Sequence, residues 1–451
     1  MNARRHMRAI IAVAVVAGSA TTGVAPVVAQ STAPAVQFLR LEDLERRALS
    51  ANPTVAQAEA IARSVAGRQR QVSLYPNPIV GYSADDVAAR EPGRSRHFVW
   101  VQQSIITSGK RGLVQRAVAQ EAVHASAEKE MQRHRVVNAV RMGFYEVLGA
   151  ARLVEVRRDL ARLGREAVDV SEDLFNIGQA DRPDVLEVGI EAERAEIELD
   201  RAENDLTRAW QDLATVIGEP DLPYTPLAGD LEAELPTVDE VAAREQILKE
   251  SPELRIARSR VEHAKASLAR ARADRIPNFF VRAGAGYSFD RTEAGREVGT
   301  EFRLEVGVPL PIFDRNQGTI VQAEAQQRLA EAELRRTELS LRSRLAGVVR
   351  TYRDARRTVE RYQQTVLGAA QQSYQLYLAR AQEMAAAYPQ VMIARRTLGQ
   401  VRAEYVRALV DARHAAVLLE GFLLAGALDA PAAIPGEPNV TIEAVPFTVT
   451  P

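Results

Sequence analysis

The stretch Pro277–Pro309, PNFFVRAGAGYSFDRTEAGREVGTEFRLEVGVP, decides how the rest of the chain is read. From Phe279 every second residue is apolar or small: Phe279, Val281, Ala283, Ala285, Tyr287 and Phe289. Between them lie Phe280, Arg282, Gly284, Gly286, Ser288 and Asp290. After a polar break, Arg291–Glu297, the alternation resumes, with Val298, Thr300, Phe302, Leu304, Val306 and Val308 on one face. Gly299, Glu301, Arg303, Glu305 and Gly307 take the other. Period two predicts strands, and two strands about a turn predict a hairpin. Each strand has about the 9–11 residues that a tilted strand needs to cross a bilayer. One face suits hydrocarbon and the other a wet lumen, the pattern of a transmembrane β-barrel, with Phe279, Val281, Phe302 and Leu304 expected to face lipid. A single amphipathic hairpin, taken alone, fits a soluble core better. The remainder of the chain reverses that preference.

A weaker hairpin occurs earlier, over residues 78–104. Val80, Tyr82 and Ala84 alternate with Gly81, Ser83 and Asp85, and a strand carrying Phe98 and Trp100 follows a polar loop. Phe98 and Trp100 are read as further lipid-facing residues, set opposite Leu304 and Val306 when the two hairpins are aligned. Each hairpin sits in the same order of elements. A helix interrupted at Asn52-Pro53 or Ser251-Pro252 precedes it, where proline suits a restarted first turn. Long helices are expected over 112–177 and 184–217 in the first half, and over 319–383 and 389–424 in the second. The chain therefore reads as two repeats, 30–217 and 237–425, joined by a Pro-rich linker over 218–236 and ending in a disordered tail over 426–451. Two independent domains fit less well, because neither half shows the pattern of a compact core of its own.

The N-terminus joins a basic segment, Met1–Arg8, to an apolar run, Ala9–Ala17, and small residues ending at Ala29. That is a secretory signal peptide over residues 1–29, with a core too short for a retained membrane helix. No cysteine is present, which excludes a disulfide framework and thiolate metal sites. The 58 basic and 59 acidic residues balance, so charge gives no case for nucleic acid as a partner.

The long helices carry heptad seams. Leu341, Leu345, Val348, Tyr352, Ala355, Val359, Tyr362, Val366, Ala369, Ser373 and Leu376 keep a 4-3 spacing, and Val185–Val216 and Val391–Phe422 carry similar series. Such a repeat predicts left-handed antiparallel coiled-coil pairs. A helix over 319–383 would be about 100 Å long, too long for a globule. Four strands cannot enclose a lumen, since about eight already fill with side chains. Every edge in a bilayer must be paired, so copies must assemble, and three would supply twelve strands.

These features resemble the TolC-type outer-membrane efflux family over nearly all of the mature chain, and most the branch accompanying cobalt-zinc-cadmium resistance pumps. The resemblance is carried by the duplicated order, by Asn52-Pro53 and Ser251-Pro252, and by Tyr75-Pro76-Asn77-Pro78. Ser108-Gly109-Lys110-Arg111-Gly112 and Pro311–Gly318 complete it. It implies a mostly α homotrimer, in which a tunnel of long antiparallel helices carries a twelve-stranded barrel in outer-membrane lipid. It also implies a passive exit duct, docked on a periplasmic adaptor (membrane fusion) protein and an inner-membrane pump of the resistance–nodulation–division (RND) class. Under it the helix tips form the inner gate and the adaptor contact, at Ile177, Gly178 and Gln179 and, in the second half, Glu383. Asp181, Asp184 and Glu187 follow the first tip. Repeated around a three-fold mouth they would form a cation-favouring constriction, and as single residues they would cap a helix. The second tip, Arg380–Val391, lacks the glycine and the acidic start of the first.

No phosphate loop, nucleophile motif or metal-ligand spacing is present, and His97, His124, His134, His263 and His414 are scattered. No catalytic residue, metal ligand or cofactor is expected. The competing functions are a duct for type I protein or peptide secretion and, in a different class, a structural periplasmic coiled coil.

Overall fold

A computed structural model describes residues 38–87, 95–383 and 388–432. The signal-peptide reading over 1–29 and the tail beyond 432 lie outside the described residues. The chain opens with β1 (Leu39–Arg40), α1 (Leu41–Ala51), α2 (Pro53–Gln71), β2 (Ile79–Asp85) and β3 (Arg96–Ile105). Two helices follow, α3 (Lys110–Asn176) and α4 (Arg182–Ile217). After β4 (Leu227–Ala228) the order repeats, with α5 (Glu240–Glu250), α6 (Pro252–Ala273), β5 (Phe279–Arg291) and β6 (Glu297–Gly307). Last come α7 (Gln317–Arg361), a π turn (Tyr362–Val366), α8 (Leu367–Glu383) and α9 (Tyr388–Glu420).

The proline-marked restarts form as the sequence requires. Asn52 is extended and caps α2, its side chain accepting the Thr54 N–H at 2.9 Å, and Pro53 stands in the first turn. Pro252 plays the same part in α6. The entries to α3 and α7 also match. Gly109 and Asn316 both take left-handed backbone at the N-cap, φ 64° and 59°, a conformation open to glycine and tolerated by asparagine.

Helix α3 packs against α2, α4, α6 and α9, and α7 against α6 and α9. The two larger buried clusters draw mainly on one half each. Leu44, Val140, Phe144, Leu213 and Ile217 close one cluster, and Leu254, Leu341, Leu345, Tyr352 and Leu419 the other. A cluster of Ala127, Met131, Ile256 and Leu424 joins the halves. The segment after α9, expected to be disordered from 426, is held by hydrogen bonds over its described residues to 432. The Ala427 carbonyl accepts from Thr54 Oγ1 and Gln132 Nε2, both at 2.9 Å, and Ala432 donates its N–H to Glu128 at 3.0 Å. Asn138 binds the Gly421 and Leu424 carbonyls at 2.9 and 2.8 Å. These buried polar groups satisfy backbone that a helix end would otherwise orphan. The linker reading also needs amending, since β4 pairs in parallel with β1 and Arg413 caps the Leu231, Ala233 and Glu234 carbonyls.

The helix expected over 319–383 is interrupted. The π turn admits one extra residue and shifts the seam, so Leu367 rather than Val366 joins the cluster around Tyr405 and Leu409. Val349 likewise replaces Val348 as the fully buried residue of its turn.

Candidate functional site: the sheet face and the helix tip

The four longer strands form one antiparallel sheet in the order β2-β3-β5-β6, which leaves β2 and β6 as its edges. Ladder partners share a face, so the register assigns every side chain. Val80–Val101–Ala283–Leu304 and Tyr82–Val99–Ala285–Phe302 are two rows of one face. That face is exposed and apolar, with Phe302 84% and Leu304 73% accessible. Phe279 and Val281 share it, paired with Ile105 and Gln103. Toward the hairpin ends, Tyr82, His97, Tyr287 and Phe289 form an aromatic group with centroids 4.8–6.0 Å apart.

The opposite face is polar. Arg282 donates to Gln102 at 2.6 and 3.0 Å and to Glu305 at 3.1 Å, and Arg303 reaches Asp85 at 3.3 Å. Here the structure corrects the sequence reading, because Phe98 and Trp100 belong to this face. Phe98 is only 2% accessible, with the Arg303 guanidinium 4.3 Å above its ring. Trp100 stacks under Arg282 at 4.4 Å and lies over Gly81, where any side chain would collide with the indole. Val99 and Val101, missed in the sequence, are the outward residues of β3. The signal was present in parity, since Arg96, Gln102 and Ser104 fall on the same side as Phe98 and Trp100.

The α3–α4 tip is built by backbone chemistry. Gly178 adopts φ 76°, and the Gln179 N–H returns to the Leu174 carbonyl at 2.8 Å, the closure that ends a helix through a left-handed residue. The Asp184 carboxylate accepts the Asp181 N–H at 3.2 Å in a capping box at the start of α4. Asp181, Asp184 and Glu187 are all exposed, as are Ile177, Gly178 and Gln179. They form one surface at the end of one hairpin. Glu383 ends α8, and its side chain lies outside the described residues.

Among the described residues no His, Cys, Asp and Glu group is disposed to hold a metal ion, and no helix is long and apolar enough to cross a membrane. His124 is buried on α3 and its Nε2 finds no hydrogen-bond partner. Burial, helped by the Arg260 and His263 charges and opposed by Glu121, pushes its pKa down to about 4. Nearby Glu121 is held by Arg68 at 3.0 Å and His263 at 3.1 Å.

Residues 243–423 match the family described as outer membrane efflux protein. A curated relative, the cobalt-zinc-cadmium resistance protein CzcC of Cupriavidus metallidurans, is 26% identical over 385 residues, 85% of this chain and 90% of that protein. Among solved structures, the outer membrane protein VceC of Vibrio cholerae superposes with a TM-score of 0.70 at 20% identity, covering 85% of this chain and 96% of that one. CusC, described as forming a transmembrane channel, gives 0.72 at 16% identity over 86% and 92% of the respective chains. These structural likenesses establish the fold.

Proposed function

We propose that this chain, whose residues 243–423 match the outer membrane efflux protein family, joins in three copies into the outer-membrane exit duct of a tripartite efflux system. The observation that carries the assembly is the sheet. It has one apolar exposed face, one face of Arg–carboxylate pairs, and two edge strands whose hydrogen-bonding groups must be paired in lipid. Joining β6 of one copy to β2 of the next leaves no edge, and three copies give twelve strands, enough to enclose a lumen. The Arg282–Glu305 and Arg303–Asp85 pairs then line that lumen, while Val99, Val101, Phe302 and Leu304 face hydrocarbon, with Phe279 and Val281 beside them.

The duct is passive. Its sites fix position and charge and perform no catalysis, and the driving energy comes from an inner-membrane RND pump through a periplasmic adaptor. Ile177, Gly178 and Gln179 are the adaptor-facing surface of the first tip, and Glu383 belongs to the corresponding end of the second half. Asp181, Asp184 and Glu187 form an acidic mouth. Capping leaves the Asp184 charge in place, so the helix-end role and the cation-attracting role coexist. The name of the relative CzcC supports divalent metal cations as cargo.

The test is isolation of the outer-membrane fraction, followed by planar-bilayer recording. Trimers that resist detergent until heated, with cation-selective conductance, are expected. A soluble monomer would reject the duct in favour of a periplasmic coiled coil, and genetic neighbours that encode a peptide exporter would point to type I secretion.

A further inference from the structure

The arginines on the polar face of the sheet are each matched by a carboxylate. Glu305 holds Arg282 at 3.1 Å, Asp85 holds Arg303 at 3.3 Å and Asp290 holds Arg96 at 2.7 Å. Ladder parity puts one further carboxylate on this face. Glu301 pairs with Gly286 on β5 and falls between Gly299 and Arg303 on its own strand. Among the described residues no side chain gives it a hydrogen bond or an ion pair.

Its surroundings explain the isolation. Ser83, Phe98 and Gly286 share its level on the ladder, and none of them is basic. Phe98 leans over Gly286, where a side chain would meet its ring. Arg303, next on the same face, is drawn away across that ring to Asp85. Joining copies does not supply the missing partner. Strand β6 is an edge, and in the duct its open side meets β2 of the next copy. The inner parity of β2 is Ile79, Gly81, Ser83 and Asp85, so no register of the two strands sets a base against Glu301.

We propose that Glu301 sets the charge preference of the bore itself. Three copies place three uncompensated carboxylates around the middle of the barrel, on the strands and apart from the helix tip, and these favour cations in passage. The inference rests on the duct reading above. Twelve strands spaced about 4.8 Å and tilted by about 40° give a wall about 12 Å in radius, which sets the carboxylates about 14 Å apart. That is too far to grip one ion. They act by raising the local cation concentration inside a low-dielectric wall. At about 0.1 M salt, where the screening length is about 10 Å, they should raise the cation-to-anion permeability ratio about threefold. At about 1 M, with screening over about 3 Å, most of that effect should vanish.

The chain has no cysteine, so a single thiol can be modified cleanly. Full-length Glu301→Cys, Glu301→Gln and the native protein are inserted into planar bilayers, and reversal potentials are recorded across a dilute KCl gradient. The cysteine variant is then treated with methanethiosulfonates that add either a sulfonate or a trimethylammonium group. Both variants should start about threefold below the native ratio. The sulfonate should restore the preference and the ammonium should lower it further, while Leu304→Cys, facing hydrocarbon, should react with neither reagent. A native ratio in Glu301→Gln, an unreactive thiol at 301, or equal ratios with either group would overturn the role of Glu301 and leave the duct standing. Loss of assembly in both variants, with the native protein conducting, would make the residue structural and overturn it too. A native protein that forms no channel would overturn the duct itself.

Discussion

Strands β3 and β6 hold corresponding places in the two halves and turn their bulky residues in opposite directions. In β6, Phe302 and Leu304 point outward and the other parity is Glu301, Arg303 and Glu305. In β3, Phe98 and Trp100 point to the polar face and Val99 and Val101 outward. A strand's faces are legible when one parity is polar throughout, as in β6. Four apolar residues in a row, Phe98–Val101, erase that signal, and only the ends of β3 retain it. The aromatic residues of β3 are placed by glycine. Gly81, Gly284 and Gly286 leave space beside the inner face, and Phe98 and Trp100 occupy it under arginines.

The sharpest way to break this comparison is to place the same charge on the two faces. Leu304→Arg puts a guanidinium in hydrocarbon at a cost of about 2–4 kcal/mol per copy, and detergent-stable trimers should be lost from the outer-membrane fraction. Trp100→Arg, on the lumen side, should still assemble. Equal loss in both would contradict the assignment of faces.

The halves differ next in buried charge. Helix α3 buries His124, whereas α7 contains no histidine. The folded pKa of His124, about 4, lies below its ordinary 6.5, so the unfolded chain binds the proton more readily. Its contribution is intact above about pH 6.5 and is lost as pH falls toward 4, by at most about 3 kcal/mol. Hydrogen exchange between pH 7 and pH 4.5, corrected for the intrinsic rate, should show loosening around α3 and not around α7. His124→Gln should remove most of the difference, and a uniform response would contradict it.

How far the helices were legible follows the same logic. Asn52-Pro53, Ser251-Pro252 and the heptad seams mark breaks and faces by local chemistry, and the structure places the elements accordingly. The π turn was hidden. Its sequence, Tyr362–Val366, is ordinary for a helix, and the extra residue shows only in which neighbour is buried. The polar bonds from Thr54, Gln132 and Asn138 to the segment after α9 were hidden for a related reason, since they link residues about 280–370 positions apart. At the tip, the glycine turn and acidic start were plain in sequence. The proposed arrangement of three copies around them is a matter of assembly, which one chain does not encode locally.

The tips provide the two smaller tests. Gly178→Ala forces a side chain into left-handed backbone and should cost about 1–2 kcal/mol locally, seen as faster exchange at the α3–α4 turn. The second tip, without a glycine between Arg380 and Val391, should tolerate alanine substitution with no such change. Asp181→Ala with Asp184→Ala removes a capping box worth about 1 kcal/mol and should lower cation preference in planar bilayers. Unchanged selectivity would leave these carboxylates as caps alone.

The central claim is that sister copies complete the sheet. Oxidative cross-linking tests it most directly, pairing Tyr82→Cys on edge strand β2 with a series of single cysteines at Phe302, Leu304 and Val306 on edge strand β6. Disulfides need Cα atoms about 4.4–6.8 Å apart, so only one register can close. The account predicts covalently linked trimers at that register, formed between chains in the membrane. Cross-links confined within single chains, or none at any register, would contradict it.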